Sequence, residues 1–169
     1  MAQATTKDWL DGIQKGLLKQ LTENRGALPK GFNQDRFILN SITVIRDMLR
    51  DNKKKKQLQE IDYTSIPICL AKGAFLGLDF FNGECYAIPY GGEMKFQTDY
   101  KGEIKLCKRY SKNEIKDIFA KVVREGDFFE ESVDSGVQNV VYKPLPFSNK
   151  PLVGAFAIVV FKDGSMLYD

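Results

Sequence analysis

Apolar residues recur at every third or fourth position through the first part of the chain and at every second position through much of the rest. Trp9, Ile13, Leu17 and Leu21 keep helical spacing, which predicts an amphipathic helix over 6–22 with Thr5 or Thr6 as its cap. Asn24-Arg25-Gly26 ends it, and Leu28-Pro29-Lys30-Gly31 reads as a turn. A second helix is expected from the cap candidate Asn33 to about residue 50. At helical period, Phe37, Ile38, Ile42, Val44, Ile45, Met48 and Leu49 fall on one broad face. A third helix over about 64–77 tolerates Pro67 in its first turn. Its apolar and small residues, with Lys72 as the one interior charge, mark it as mostly buried.

After Asn82-Gly83 the period becomes two. Residues 84–89 and 95–98, with Gly91-Gly92 between them, read as a β-hairpin. Helical period returns over Tyr100–Tyr110. Ile115–Arg124, 137–142 and 153–161 are strand-like, and Phe128 and Phe129 lie between the first two in an acidic stretch. Asp163-Gly164 is a turn into a short last strand from Met166. The expected class is α+β: N-terminal helices, then a mostly antiparallel sheet with one basic helix inserted.

Composition narrows the function more than the fold. The 169 residues fit a single domain by length, and 43% of them are hydrophobic, enough for a core. The longest nearly unbroken apolar stretch, Leu152–Phe161, falls short of the ~20 residues a bilayer span needs. Lys7, Asp8 and Asp11 stand where a signal sequence would be apolar, so the chain is expected to be cytoplasmic. There is no histidine, which removes His-based triads, His acid–base catalysis and most zinc sites. Cys69, Cys85 and Cys107 are widely spaced with no CxxC pair and are expected as reduced, mostly buried thiols. No phosphate-binding GxxxxGK[ST] loop occurs.

Net charge is only +3, but its distribution is uneven. Residues 95–124 carry nine Lys/Arg and four acids; the next ten carry five acids and no base. The pattern suggests one basic surface and a complementary acidic one for a neighbouring copy. At ~100° per residue, Lys101, Lys105, Lys108, Arg109 and Lys112 fall within about 100° of arc, while Tyr100, Ile104, Leu106, Cys107 and Tyr110 take the opposite face. A cationic stripe of this kind tracks phosphates. Lys121 and Arg124 extend the basic set. Tyr86, Tyr90, Phe96, Tyr100 and Tyr110 surround it, as single-strand binding through stacked bases requires; Phe96 and Tyr100 fit a core role as well. The run of 51–56, ending in four lysines, reads as a solvated helix end, with a phosphate contact as the alternative.

Two other classes fit parts of the pattern. Glu93-Met-Lys95, Asp99-Tyr-Lys101 and Glu103-Ile-Lys105 each match the (D/E)xK signature of metal-dependent nucleases, with Asp79 and Glu84 as upstream acids. Three matches in thirteen residues show how cheap that pattern is in a charged segment. A protein-interaction module that uses the basic helix on an acidic partner is the other class.

Leu76-Gly77-Leu78-Asp79, then Cys85-Tyr86-Ala87-Ile88-Pro89-Tyr90, then Phe96-Gln97-Thr98-Asp99-Tyr100-Lys101-Gly102 together resemble the RecT family of phage recombinases. Ile104-Lys105-Leu106-Cys107-Lys108-Arg109 matches the helix that follows in the family, and Leu28-Pro29, Arg36-Phe37, Asp127-Phe128-Phe129 and Asp163-Gly164 are weaker matches. The resemblance covers 28–166. It implies one ATP-independent annealing domain over 1–169, with the helix at 6–22 available for oligomer contacts. The family's C-terminal part, a further helix and a partner-binding region, is absent from these residues. The implied partners are single-stranded DNA, the annealed duplex, further copies in a ring or helical filament, a 5′→3′ exonuclease and the host single-strand binding protein, in a bacterial cytoplasm and without a membrane. No cofactor, metal ligand or catalytic residue is implied, with Mg2+ as a modulator only. Gln97, Tyr100, Lys101 and Gly102 carry over as motif residues; Lys105, Lys108, Arg109 and Lys112 rest on the helical arithmetic.

Overall fold

The computed structural model describes residues 6–169, so the cap candidate Thr5 lies outside the described residues. The architecture is α+β with every strand pair antiparallel. The chain divides into two compact units, and the division falls between Glu103 and Ile104.

In the first unit, helix α1 (Thr6–Glu23) turns Leu10, Ile13, Leu17 and Leu21 into the core. A short 3-10 turn, Arg25–Ala27, follows it. Helix α2 (Gln34–Arg50) is capped by Asn33, whose side chain accepts from the Arg36 N–H at 2.9 Å. It buries Phe37, Ile38, Ile42 and Ile45. Helix α4 (Ser65–Leu76) is the central one and buries Ile66, Cys69, Leu70, Ala71 and Ala74. Pro67 sits inside its first turn, where a missing N–H costs nothing. Burial pushes the Cys69 thiol up to about 12.

The lysine run is not a helix tail. It opens a separate helix, α3 (Asn52–Gln59), because the Asp51 carboxylate accepts from the N–H groups of Lys53 and Lys54 and restarts the helix. Those bonds hold the Asp51 carboxyl below its usual range, the bond from Lys54 foremost. Only Leu58 of α3 is buried. Cations in a first helical turn oppose the helix dipole, at roughly 0.3–1 kcal/mol each. The hairpin β1 (Cys85–Tyr90) and β2 (Glu93–Thr98) completes the unit, with Gly91 and Gly92 both at positive φ in its turn.

Helix α5 (Tyr100–Tyr110) carries the division between the units. In the second unit, β3 (Ile115–Arg124) pairs with β6 (Leu152–Phe161), and β6 pairs with β7 (Met166–Tyr168). The acidic segment after β3 is a strand rather than a connection: β4 (Phe128–Asp134) pairs along its length with β5 (Val137–Lys143). Glu131 between Phe129 and Val133 breaks the apolar alternation that marks a strand, and every residue of β4 is exposed. The unit's core is small. Val123 and Phe156 are buried, and Phe156 packs on Phe129 and Tyr142 with ring centroids 5.4 and 5.2 Å away.

The expected burial of the thiols holds for Cys69 and Cys85; Cys107 is exposed. No helix among the described residues is long and apolar enough to cross a membrane.

Asp127 ties the second unit together. Its carboxylate accepts from the Arg124 N–H at 2.9 Å, the Leu145 N–H at 2.8 Å and the Tyr142 hydroxyl at 3.1 Å. These bonds, led by that from Leu145, hold its carboxyl below the usual aspartate range. A depressed folded value gives stability that is complete above the unfolded value of about 3.9 and is lost as pH falls through the folded one. Asp127→Asn should therefore be less stable than wild type at pH 7, and its stability should depend less on pH between about 5 and 2. Urea denaturation across that range, followed by tyrosine near-ultraviolet circular dichroism, measures both.

Candidate nucleic-acid interface

The β1–β2 register sets Tyr86 opposite Gln97, Ile88 opposite Lys95 and Tyr90 opposite Glu93. Opposed residues share a face. The solvent face of the hairpin is therefore a Tyr–Ile–Tyr row beside a Gln–Lys–Glu row, with Tyr90 74% exposed. Lys95 pairs with Glu93 at 2.5 Å. The opposite face holds Cys85, Ala87, Met94 and Phe96. Phe96 packs edge-on to Phe80, with centroids 6.1 Å apart, so this candidate contact belongs to the core side.

The sequence motifs meet at the start of α5. The Asp99 N–H donates to the Glu84 carbonyl at 3.0 Å, and the Glu103 N–H donates to the Asp99 carbonyl. The Asp99 carboxylate accepts from the Lys101 N–H at 3.1 Å and from the Tyr86 hydroxyl at 3.1 Å. That bond to Asp99 raises the Tyr86 phenol above its usual range. The Thr98 hydroxyl donates to Glu103 at 2.8 Å. Gly102 is buried, and a Cβ there would stand 2.1 Å from the Glu84 carbonyl oxygen. Gly102, taken from the motif as a DNA contact, is instead the point where the helix touches the chain beneath it.

The acids of the nuclease-like pattern all have partners, and all but Glu93 have them in the same joint. Glu84 accepts from the Asp79 N–H at 2.8 Å. Asp79 is buried and accepts from Asn40 at 2.9 Å and from the Phe81 N–H at 2.8 Å. Glu93, Asp99 and Glu103 have the partners given above. Among the described residues no three Cys, Asp or Glu side chains form a group that could hold a metal ion.

With Gly102 beneath, Tyr100 is 65% exposed rather than core, and the Lys101 ammonium stands 5.9 Å from its ring centroid. Gln97 and Lys101 are exposed beside it. Lys108 and Arg109 are exposed further along α5, and Lys105 is half-buried. The Arg109 guanidinium stands 5.9 Å from the Tyr110 ring. Three details differ from the helical arithmetic. The helix ends at Tyr110, so Lys112 lies in the exposed turn beyond it. Lys108 meets an acid after all: Asp117, at 3.2 Å, comes from the following strand and was invisible to a count within the helix. Tyr100, Cys107 and Tyr110, expected on a packed face, are exposed, while Ile104 and Leu106 are half-buried. Lys121 is exposed on β3. Arg124 donates to the Lys150 carbonyl at 2.7 Å, which ties its side chain to the second unit's own loop.

Tyr86 and Tyr90 thus share a face with Ile88, Lys95 and Gln97, a grouping that the two-residue period of the hairpin carries in the sequence. Comparison with family models matches residues 35–169 to the one described as the RecT family. No curated protein matches the chain.

Gly102→Ala tests the joint. The atom its Cβ meets is backbone and cannot rotate away, so the variant should lose at least about 1–3 kcal/mol. Thermal unfolding measures that loss, whereas a mere ligand contact at Gly102 would leave the midpoint unchanged.

Proposed function

The chain belongs to the RecT family, and from that premise we propose that it binds single-stranded DNA and anneals complementary strands without ATP. Family membership supports a role in recombination and annealing; the finer assignment to residues is our own. The observation that carries it is the pairing of an exposed ring and an exposed ammonium, Tyr100 and Lys101, on a helix start held rigid from below by Gly102. Cations take the phosphates, and flat rings take the bases regardless of sequence. Lys101, Lys105, Lys108 and Arg109 would hold backbone, with Lys112 and Lys121 as further phosphate contacts. Tyr86, Tyr90 and Tyr100 would stack on bases, with Gln97 on a base edge.

No covalent step is needed. Annealing asks the protein to neutralise two polyanions and leave their base edges free, so the role calls for no catalytic residue, and Mg2+ acts only by screening. The acidic segment 125–134 would face a basic surface of a neighbouring copy in a ring or filament. A 5′→3′ exonuclease and a host single-strand binding protein would be its partners in such a reaction.

Mixing two labelled complementary oligonucleotides with the protein, without ATP, should accelerate duplex formation with both strands intact. Unaccelerated pairing refutes annealing, and cut strands indicate a nuclease. Lys101→Ala, Lys105→Ala and Lys108→Ala combined should weaken single-strand binding at least about tenfold. Four neutralised phosphates give a slope of log K against log salt near −3, at about −0.7 per contact, and the triple variant should flatten it. Tyr86→Leu with Tyr90→Leu should also weaken binding, by the roughly 1–3 kcal/mol that a stacked base is worth, but with the wild-type salt slope. Fluorescence anisotropy across a salt series reads each result.

A further inference from the structure

Helix α3 presents Lys53, Lys54, Lys55 and Lys56 in succession, all exposed. No ion pair is formed by the four ammonium groups among the described residues, although the Asp51 carboxylate is close enough to Lys53 and Lys54 to feel their charge. The helix terminus itself is already satisfied, because Asp51 takes the N–H groups of Lys53 and Lys54. What α3 offers to solvent is therefore its ammonium groups: Lys53, Lys54 and Lys55 stand in the first turn, where they oppose the dipole, and Lys56 begins the last turn. The dipole does not explain the first three.

A recess adjoins the run. Thr6, Trp9, Leu49, Lys55, Leu58 and Gln59 line a cavity of about 170 Å³. Trp9 is half-buried, and Tyr63 braces it, with ring centroids 5.7 Å apart and the Tyr63 hydroxyl donating to the Trp9 carbonyl at 3.1 Å. A lysine, a tryptophan, a glutamine and a threonine among the six lining residues, with Leu49 and Leu58 as the others, suit a phosphate with a flat ring beside it. α3 and the hairpin belong to the same unit, and just beyond α3 the Asp62 N–H donates to the Gly92 carbonyl in the hairpin turn at 2.7 Å.

We propose that the α3 lysines and the Trp9 recess form a second polyanion site, which takes the backbone of the incoming complementary strand. This rests on the annealing reading above. Two strands brought to one cationic stripe would double the phosphate charge that it must neutralise; a separate cationic element removes that repulsion. An unbroken run of cations beside an aromatic recess favours nucleic acid over an acidic protein segment, which would need no ring.

The test uses the full chain with Lys53→Gln, Lys54→Gln, Lys55→Gln and Lys56→Gln combined. Anisotropy with a labelled oligothymidine reads first-strand affinity, and energy transfer between complementary labelled strands reads annealing. Trp9, the single tryptophan, reads the recess by its emission. The variant should hold first-strand affinity within about twofold, anneal at least tenfold more slowly, and lose the emission change that a second oligonucleotide causes in protein saturated with the first. Its unfolding midpoint should be unchanged or higher, since three of the four cations leave the positive end of the helix. Wild-type annealing by the variant overturns the proposal. So does an equal fall in first-strand affinity, which would make α3 part of the first site. Emission that moves with polyglutamate and not with oligonucleotide overturns it in favour of a protein partner. If the wild type itself does not anneal, the annealing reading fails by its own test. Trp9 then decides this site alone: quenching by oligonucleotide that is lost in the variant supports it, and no quenching overturns it.

Discussion

The close approach of α5's first turn to the Glu84 carbonyl is the constraint on which the candidate interface depends. One carbonyl oxygen receives the Asp99 N–H and lies where any side chain at position 102 would stand. That contact fixes where the helix begins. Helical geometry then fixes which way Tyr100 and Lys101 point. Beneath it, the Asp79 and Glu84 carboxylates hold the loop between α4 and β1 through backbone N–H groups. Above it, Asp99 ties the helix start to Tyr86 of the hairpin. The two sequence motifs, YAIPY and QTDYKG, thus meet in one joint, and their spacing is set by the hairpin, whose first strand carries YAIPY and whose second strand ends in Gln97-Thr98.

The charged residues divide by what surrounds them. Carboxylates near the joint are spent on backbone N–H groups, hydroxyls or a neighbouring lysine, so their chemistry is structural. The lysines of α3 form no ion pair among the described residues, while Lys108 and Arg109 of α5 are exposed beside an aspartate and a tyrosine ring. Where an acid does reach the α5 cations, as Asp117 reaches Lys108, the pair is exposed and contributes little to stability. Phosphate could displace such a partner at small cost. Exposed pairs of this kind hold a cation in place without neutralising it for good.

Much of this was legible in the sequence. The cap at Asn33, the turn at Gly91-Gly92, the tolerated Pro67 and the bounds of α5 follow from local rules, and each element forms where those rules place it. Three features were not legible, each for a physical reason. β4 hid because its strand period runs through acids, which are depleted in strands. α3 hid because a single capping aspartate restarts a helix inside a charge run. The roles of Gly102 and Phe96 hid because a motif records that a residue type is required and not whether solvent or a neighbouring backbone requires it. For Gly102 it is backbone; for Phe96 it is another ring.

The two units differ in what holds them. The first rests on about a score of buried apolar side chains from four helices, a hairpin and the loop before it; the second buries two, Val123 and Phe156, and relies otherwise on ladder bonds, the rings around Phe156 and the Asp127 bonds. Ladders with little packed against them open by local fluctuation at a small fraction of the global unfolding free energy. Amides of β4 and β5 would therefore exchange with solvent deuterium well before those of α1 and α4. The well-packed unit holds the hairpin and the first turn of α5; the sparsely packed one holds β3 and its exposed lysines, Lys116 and Lys121.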